Sequence, residues 1–335
     1  MPDLINRVTN LFPGKRVVIA GDLVADQFLS GSISRVSREA PVFILRHEET
    51  ETRPGGAANA AANVASLDGT PLVVGVMADD ENGRLLRQSL ENAGVNCDHI
   101  VTSVGGSTTT KVRVLAGQSY SVKQQVIRID YENNSEFSNE TRNKLIENLA
   151  IASADAGAIV ISDYGYGVVD KELFERARQL AKQYSIPLIV DSRTRLREFS
   201  GATSATPNQE EVEQLIGPNF SDANCQRLCE ELDFDSLLVT CGNKGIIVVE
   251  NGKEVRQFPA IGSTEPVDVT GAGDTVIAAY SLGLASGLTP SEAATIANHA
   301  GGIVVMKKGT ATVDATELIE SLRTHESLAY SDSAA

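Results

Sequence analysis

Short apolar runs, each closed by a polar residue and followed by a helical pattern, recur along this chain and set its fold class. Arg16-Val17-Val18-Ile19-Ala20-Gly21-Asp22 is the first, and Ala158-Ile159-Val160-Ile161-Ser162-Asp163-Tyr164 repeats it. Runs that are apolar at successive positions are buried on both faces, as strands of a parallel sheet are. Residues 71–77, 187–191, 236–240 and 246–250 read as further strands. Helical patterns fall at 81–93, 141–152, 171–184, just after Asn208, at 290–306 and at 314–323. This alternation predicts a doubly wound α/β domain, with a mostly parallel sheet and helices on both faces.

Two other pairs of segments alternate in polarity instead, at 26–37 and 42–48 and again at 108–115 and 121–129. The second pair is joined by the turn signal Ala116-Gly117-Gln118-Ser119. They are expected to build a small separate sheet, a lid of residues 22–50 and 105–130, on one domain that spans 1–335. The tail from Ser327 is small and polar and is expected to be disordered.

Charge and cysteine content narrow the function. Against 44 acidic residues stand 29 Lys and Arg, a formal net charge of −15. Nucleic acid and anionic membranes bind basic faces, so neither is an expected partner. Cys97, Cys225, Cys229 and Cys241 show no CxxC spacing, and no histidine cluster completes a zinc site. They read as reduced thiols of a cytoplasmic protein. No stretch approaches the roughly 18 apolar residues of a membrane span, and the N-terminus shows no apolar signal core.

Chemistry is suggested first by Val267-Asp268-Val269-Thr270-Gly271-Ala272-Gly273-Asp274-Thr275, which leads into an apolar helical run. A glycine turn before a helix offers unpaired N–H groups and the positive end of the helix dipole, which suit an anion. Asp274 is then either a carboxylate that stabilises the helix start or a general base beside an anion cradle. The pair Gly55-Gly56 opens an Ala-rich helix carrying Asn59, for tight packing or for a polar ligand. Asp22, Asp163, Asp191, Asn208, Thr240 and Asp268 close successive strands, along the edge where open parallel sheets bind ligands. Lys111 and Arg113 share one face of a lid strand, with Arg128 on the next. They are either the charges that protect an edge strand or a clamp for phosphate. There is no G-x-x-x-x-G-K-[ST] and no G-x-G-x-x-G after the first strand.

These residues resemble the ribokinase/PfkB family of carbohydrate kinases. Asp268-Val269-Thr270-Gly271-Ala272-Gly273-Asp274 is close to its D-T-T-G-A-G-D signature, Gly55-Gly56-Ala57-Ala58-Asn59 resembles its glycine signature, and Asn208-Gln209-Glu210-Glu211 fits N-x-x-E. The likeness runs from Lys15 to Leu322. Within the family it is strongest to D-glycero-β-D-manno-heptose 7-phosphate kinases, on Ser34-Arg35-Val36-Ser37-Arg38, Arg53-Pro54-Gly55-Gly56, Thr110-Lys111-Val112-Arg113, Ile127-Arg128-Ile129-Asp130 and Ser162-Asp163-Tyr164. Two positions depart: Tyr166 stands where those kinases usually have Lys, and Ser192-Arg193 where they have Pro-Lys.

The resemblance implies a ribokinase-like fold and transfer of a phosphoryl group from ATP to a phosphorylated sugar, with Mg²⁺ and with K⁺ as a further cofactor. Asp274 would be the base, with the N–H groups of Gly271, Ala272 and Gly273 on the transferring group. Asn208 and Glu211 would hold Mg²⁺ largely through water. Thr240, Gly242, Gly245 and Asn298 would line the nucleotide. Asp22, Arg35, Gly55, Gly56, Asn59 and Asp163 would contact the sugar, and Lys111, Arg113 and Arg128 its phosphate. Asp268 and Thr270 would bind the monovalent cation. A stand-alone kinase and a homodimer through the lid are also implied. Other readings are a kinase of fructose 6-phosphate, another sugar or a nucleoside, and a catalytically silent sugar-phosphate sensor.

Overall fold

The structure is a computed structural model that describes residues 2–118, 123–132, 136–263 and 265–333, without the side chains of residue 2 and of 326–333. Its first half runs α1 (Pro2–Leu11), β1 (Arg16–Gly21), β2 (Leu23–Val36), β3 (Phe43–Gly56), α2 (Ala57–Ser66), β4 (Thr70–Ala78), α3 (Glu81–Asn92), β5 (Ile100–Ser103), β6 (Thr110–Gly117) and β7 (Gln124–Tyr131). Then come α4 (Asn139–Ser153), β8 (Ala158–Asp163), α5 (Lys171–Tyr184), β9 (Leu188–Ser192), β10 (Ser204–Ala205), α6 (Gln209–Ile216) and α7 (Asp222–Glu231). The chain closes with β11 (Ser236–Thr240), β12 (Ile246–Glu250), β13 (Arg256–Phe258), α8 (Ala272–Ala285), α9 (Pro290–Val304) and α10 (Ala315–Ser333).

Among the described residues, nine strands form one sheet in the order β13-β12-β11-β10-β9-β8-β1-β4-β5. It is parallel from β11 to β5, and β12 and β13 join antiparallel. Strand β1 lies in the middle because its side chains are apolar on both faces. Val17 and Ile19 pack toward residues of α2, α8 and α9, while Val18 and Ala20 pack toward α4 and α5. Cutting such a buried Ile to Ala costs about 2–5 kcal/mol. The register pairs Gly21 with Ser162 and Ser162 with Asp191, so the ends of β1, β8 and β9 meet at one edge of the sheet.

The second sheet has the order β3-β2-β6-β7. Only Asp22 separates β1 from β2, and β3 runs directly into α2, so the core sheet fixes where the lid stands. The lid strands cover 23–36, 43–56, 110–117 and 124–131, against the expected lid segments 22–50 and 105–130. The expected strand start at Ser121 and the turn residue Ser119 lie outside the described residues.

Several elements differ from expectation. Residues 267–270 form no strand, because the Asp268 carboxylate accepts N–H groups of Thr270 and Gly309, each at 2.9 Å, and ties that segment into a loop. Helix α10 reaches Ser333 instead of fraying from Ser327. No Gly or Pro interrupts residues 315–333, and Leu318 and Leu322 anchor the helix in the core. The four cysteines are free and buried. Among the described residues, no helix is long and apolar enough to cross a membrane.

Candidate active site

The glycine turn delivers Asp274 to the sheet edge. Gly271 caps α8 at φ 78°, a left-handed conformation that suits Gly. A Cβ there would stand 2.5 Å from Asn59 Nδ2. Asp274 lies in the first helical turn, only 3% exposed. Asn59 Nδ2 donates to its Oδ2 at 2.8 Å, and the Tyr164 hydroxyl donates to its Oδ1 at 2.5 Å. Burial pushes the Asp274 carboxyl up to about 6, against the lowering effect of those two donors. A buried carboxylate with its pKa near neutrality suits a general base, and its place in the first turn also lets it stabilise the helix start. In the same turn Ala272 N–H donates to Val269 O at 3.2 Å, so it is already engaged. Among the described residues, no backbone carbonyl accepts from Gly271 or Gly273 N–H, and those two face no such competition.

Facing Asp274, the lid presents its charges. The register pairs Asp26 with Lys111, Lys111 with Asp130 and Arg113 with Arg128, which puts all five on one face. Strand β6 lies between β2 and β7, so the edge-protection reading of Lys111 and Arg113 does not hold. Arg113 donates to Asp26 Oδ1 at 3.3 Å, with side chains only 12% and 6% exposed. Arg128 grips Asp130 through two bonds of 2.8 and 2.9 Å. Lys111 differs. It is 5% exposed and forms no ion pair among the described residues. Its Nζ stands over the rings of Tyr164 and Tyr166, at 5.4 and 5.5 Å from their centroids. Burial lowers its pKa, and the nearby Arg193 lowers it further. Arg35 is not brought to this cluster. It lies nine residues beyond Asp26 on β2, roughly 30 Å at strand rise, and is exposed.

Two of the expected sugar ligands, Asp22 and Asp163, are held by the loop that follows β8 and by the side chains beside it. Asp22 accepts from the N–H groups of Tyr164, Tyr166 and Val168 at 2.8–3.1 Å. Asp163 is held by Arg195, by the Ser192 hydroxyl at 2.7 Å and by Gly165 N–H at 3.2 Å. Both carboxylates shape the 163–168 loop that carries Tyr164. Gly55 and Gly56 fit tight approaches, since a Cβ would stand 2.6 Å from Asp26 Oδ2 or 2.7 Å from Asp22 O respectively.

The N-x-x-E pair forms a capping box at α6, with Asn208 Oδ1 accepting Glu211 N–H at 2.9 Å and Glu211 Oε2 accepting Asn208 N–H at 2.8 Å. Burial raises the Glu211 pKa. Asp191 is pushed well above the usual carboxylate range by burial, then by Glu211 and Asp274. Thr240 bridges to Asn208 across adjacent segments. Gly242 starts a tight turn that ends at Gly245, where φ is 97° and a Cβ would stand 2.0 Å from Phe258 O. Asn298 spends its amide on Pro259 O at 2.7 Å. Each Asp268 oxygen accepts one N–H donor, which ties the residue into the loop.

A carbohydrate-kinase family, described as "pfkB family carbohydrate kinase", matches residues 24–317. The chain belongs to this family. Among curated relatives, the bifunctional protein HldE of Hahella chejuensis is 39% identical over 92% of this pfkB kinase and 63% of its own length. HldE of Pasteurella multocida is 37% identical over the same shares. The chain therefore spans less than two thirds of the length of these relatives. Among solved structures, Arabidopsis thaliana ribokinase complexed with ribose and ATP aligns with a TM-score of 0.70 at 22% identity, covering 92% of this chain and 98% of that one. Escherichia coli phosphofructokinase-2, with substrates and products, aligns with a TM-score of 0.74 at 19% identity over 92% and 97%. Both likenesses show the ribokinase-like fold.

In this pfkB kinase, three residues of the site carry no assigned role in the sequence reading. Asp26 faces Lys111, Arg113 and Arg128, and its charge also raises the Asp274 pKa. Its signal was a lone acid inside the apolar run Leu23-Val24-Ala25-Asp26-Gln27-Phe28. Tyr164 donates to Asp274 Oδ1. Arg193 stacks on Tyr164 with its guanidinium 4.4 Å from the ring centroid, and no ion pair holds it among the described residues.

Proposed function

We propose that this carbohydrate kinase moves the γ-phosphoryl group of ATP to a hydroxyl of an already phosphorylated sugar, with D-glycero-β-D-manno-heptose 7-phosphate as the acceptor. The observation that carries this reading is Lys111, a buried cation that forms no direct ion pair among the described residues, although Asp26 and Asp130 lie near it, and whose Nζ stands over the ring of Tyr164, the residue that donates to Asp274. A buried cation without a direct ion pair is costly, so its persistence suits a ligand that adds counter-charge. The 34–39% identity to HldE proteins favours the heptose over other sugars.

Asp274 takes the proton of the attacking hydroxyl, a contribution of about 10²–10⁴-fold. Gly271 and Gly273 N–H groups, at the positive end of α8, meet the charge on the transferring group. Thr240, Gly242, Gly245 and Asn298 lie along the nucleotide side. Among the described residues, no group of three or more ligating side chains could hold a metal. That suits Mg²⁺ carried mostly by water and phosphate oxygens, with Glu211 and the raised Asp191 as the carboxylates beside it. Bound there, the ion would neutralise phosphate charge. Asp268 and Thr270 remain the proposed K⁺ site.

The outer face of the lid carries Ile127, Ile129 and Tyr131, exposed at 54, 43 and 54%, opposite the charged face. An apolar sheet face of this kind supports a homodimer through the lid. ADP release measured across sugars and sugar phosphates tests the function. Turnover with the heptose 7-phosphate well above all others is expected, and a preference for fructose 6-phosphate or a nucleoside would reassign the acceptor. Absence of turnover on every acceptor would favour a sensor.

A further inference from the structure

We propose that Tyr164 is a positioning residue for Asp274, fixing the orientation of the base through its phenolic O–H while the cations on its ring fix Tyr164. The inference rests on Asp274 acting as the base. Tyr164 is held at each end. Its N–H donates to Asp22 at 2.8 Å, and Asp22 gathers two more N–H groups of the same loop. The Arg193 guanidinium stands 4.4 Å from its ring centroid, and Lys111 Nζ stands at 5.4 Å. A Cβ on Gly56 would touch Tyr164 Cε2 at 3.4 Å, so the glycine strand end closes on the ring edge.

The direction of the bond follows from the chemistry. Burial and the neighbouring Asp274 carboxylate hold the phenol well above its ordinary pKa, so it keeps its proton and donates. Asn59 donates to the other oxygen. With one lone pair on each oxygen engaged, the carboxylate cannot turn about its own axis. A remaining lone pair then stays directed at the acceptor hydroxyl, which is the alignment proton transfer needs.

Two readouts test this. Asp274 titration is followed by carboxyl ¹³C NMR in the free protein, with the resonance assigned by its loss in Asp274→Asn. Tyr164→Phe keeps the ring and both cation contacts, and its folding is checked by thermal melting. In this variant Asp274 should titrate about one pH unit higher, because a donor to the charged form is gone. Site-specific 3-fluorotyrosine at position 164, a stronger donor of nearly the same size, should move it lower. Steady-state kinetics with ATP and D-glycero-β-D-manno-heptose 7-phosphate should show kcat for Tyr164→Phe down about tenfold. Its acid limb should rise with the titration, and neither KM should move. An unmoved Asp274 titration in both variants would overturn the proposal. So would an effect confined to the acceptor KM, which would make Tyr164 only a wall of the sugar site. Normal turnover by Asp274→Asn would instead remove the base, and the role of Tyr164 with it.

Discussion

Asp274 accepts a proton only as a carboxylate, and burial works against that form. Its pKa of about 6 therefore sets an acid limb. Activity should rise with pH as Asp274 deprotonates and level off above about pH 7. A kcat/KM profile flat from pH 5 to 8 would contradict the assignment. Asp274→Asn keeps the shape of the side chain and should cut turnover at least about a hundredfold while the fold survives, as read by ADP release and thermal melting. This residue was legible in the sequence because glycines and an acid before an apolar helix state their own geometry. For Asp22 and Asp163 the end of a strand does not say which way a carboxylate points. Asp22 accepts three loop N–H groups, and Asp163 is held by Arg195, the Ser192 hydroxyl and Gly165 N–H. Tyr164 reaches Asp274 across 110 positions of sequence, and spacing carries no trace of such a contact.

At the scale of elements, the buried strands and the long helices were readable because their periodicity is sustained. What escaped was short or borrowed. Strand β10 has two residues and is a strand only because β9 and β11 flank it. Helix α1 offered Leu4 and Val8 at helical spacing, both buried, but nothing in the core pattern pointed to it. The turn after β11 shows how an element enforces a residue. Gly245 packs against Phe258 O at a φ that L side chains rarely adopt. Gly245→Ala should destabilise the fold by about 2 kcal/mol or more, measured by urea unfolding. A loss under about 0.5 kcal/mol would mean that β13 moves away freely.

Across the whole molecule, a chain of net charge −15 concentrates cations where lid and core sheet face each other. The two faces of the lid divide the work, with charges toward Asp274 and apolar side chains outward. In light scattering the wild type should have the mass of the proposed dimer, and Ile127→Glu combined with Ile129→Glu that of a monomer. An unchanged mass would remove the lid as the interface. Arg113→Ala is a poor probe of the phosphate, because it strands the buried Asp26 at a cost of about 3–5 kcal/mol. Lys111→Met removes a charge that forms no direct ion pair among the described residues and keeps the stem. The most direct measurement is therefore the kcat/KM ratio between the heptose 7-phosphate and the same heptose without phosphate, for the wild-type chain and for Lys111→Met. The wild type should prefer the phosphorylated sugar at least about a hundredfold, and Lys111→Met should lose roughly tenfold or more of that preference through acceptor KM, with the KM for ATP unmoved. Equal use of both sugars by the wild type, or a preference that survives Lys111→Met intact, would contradict the account.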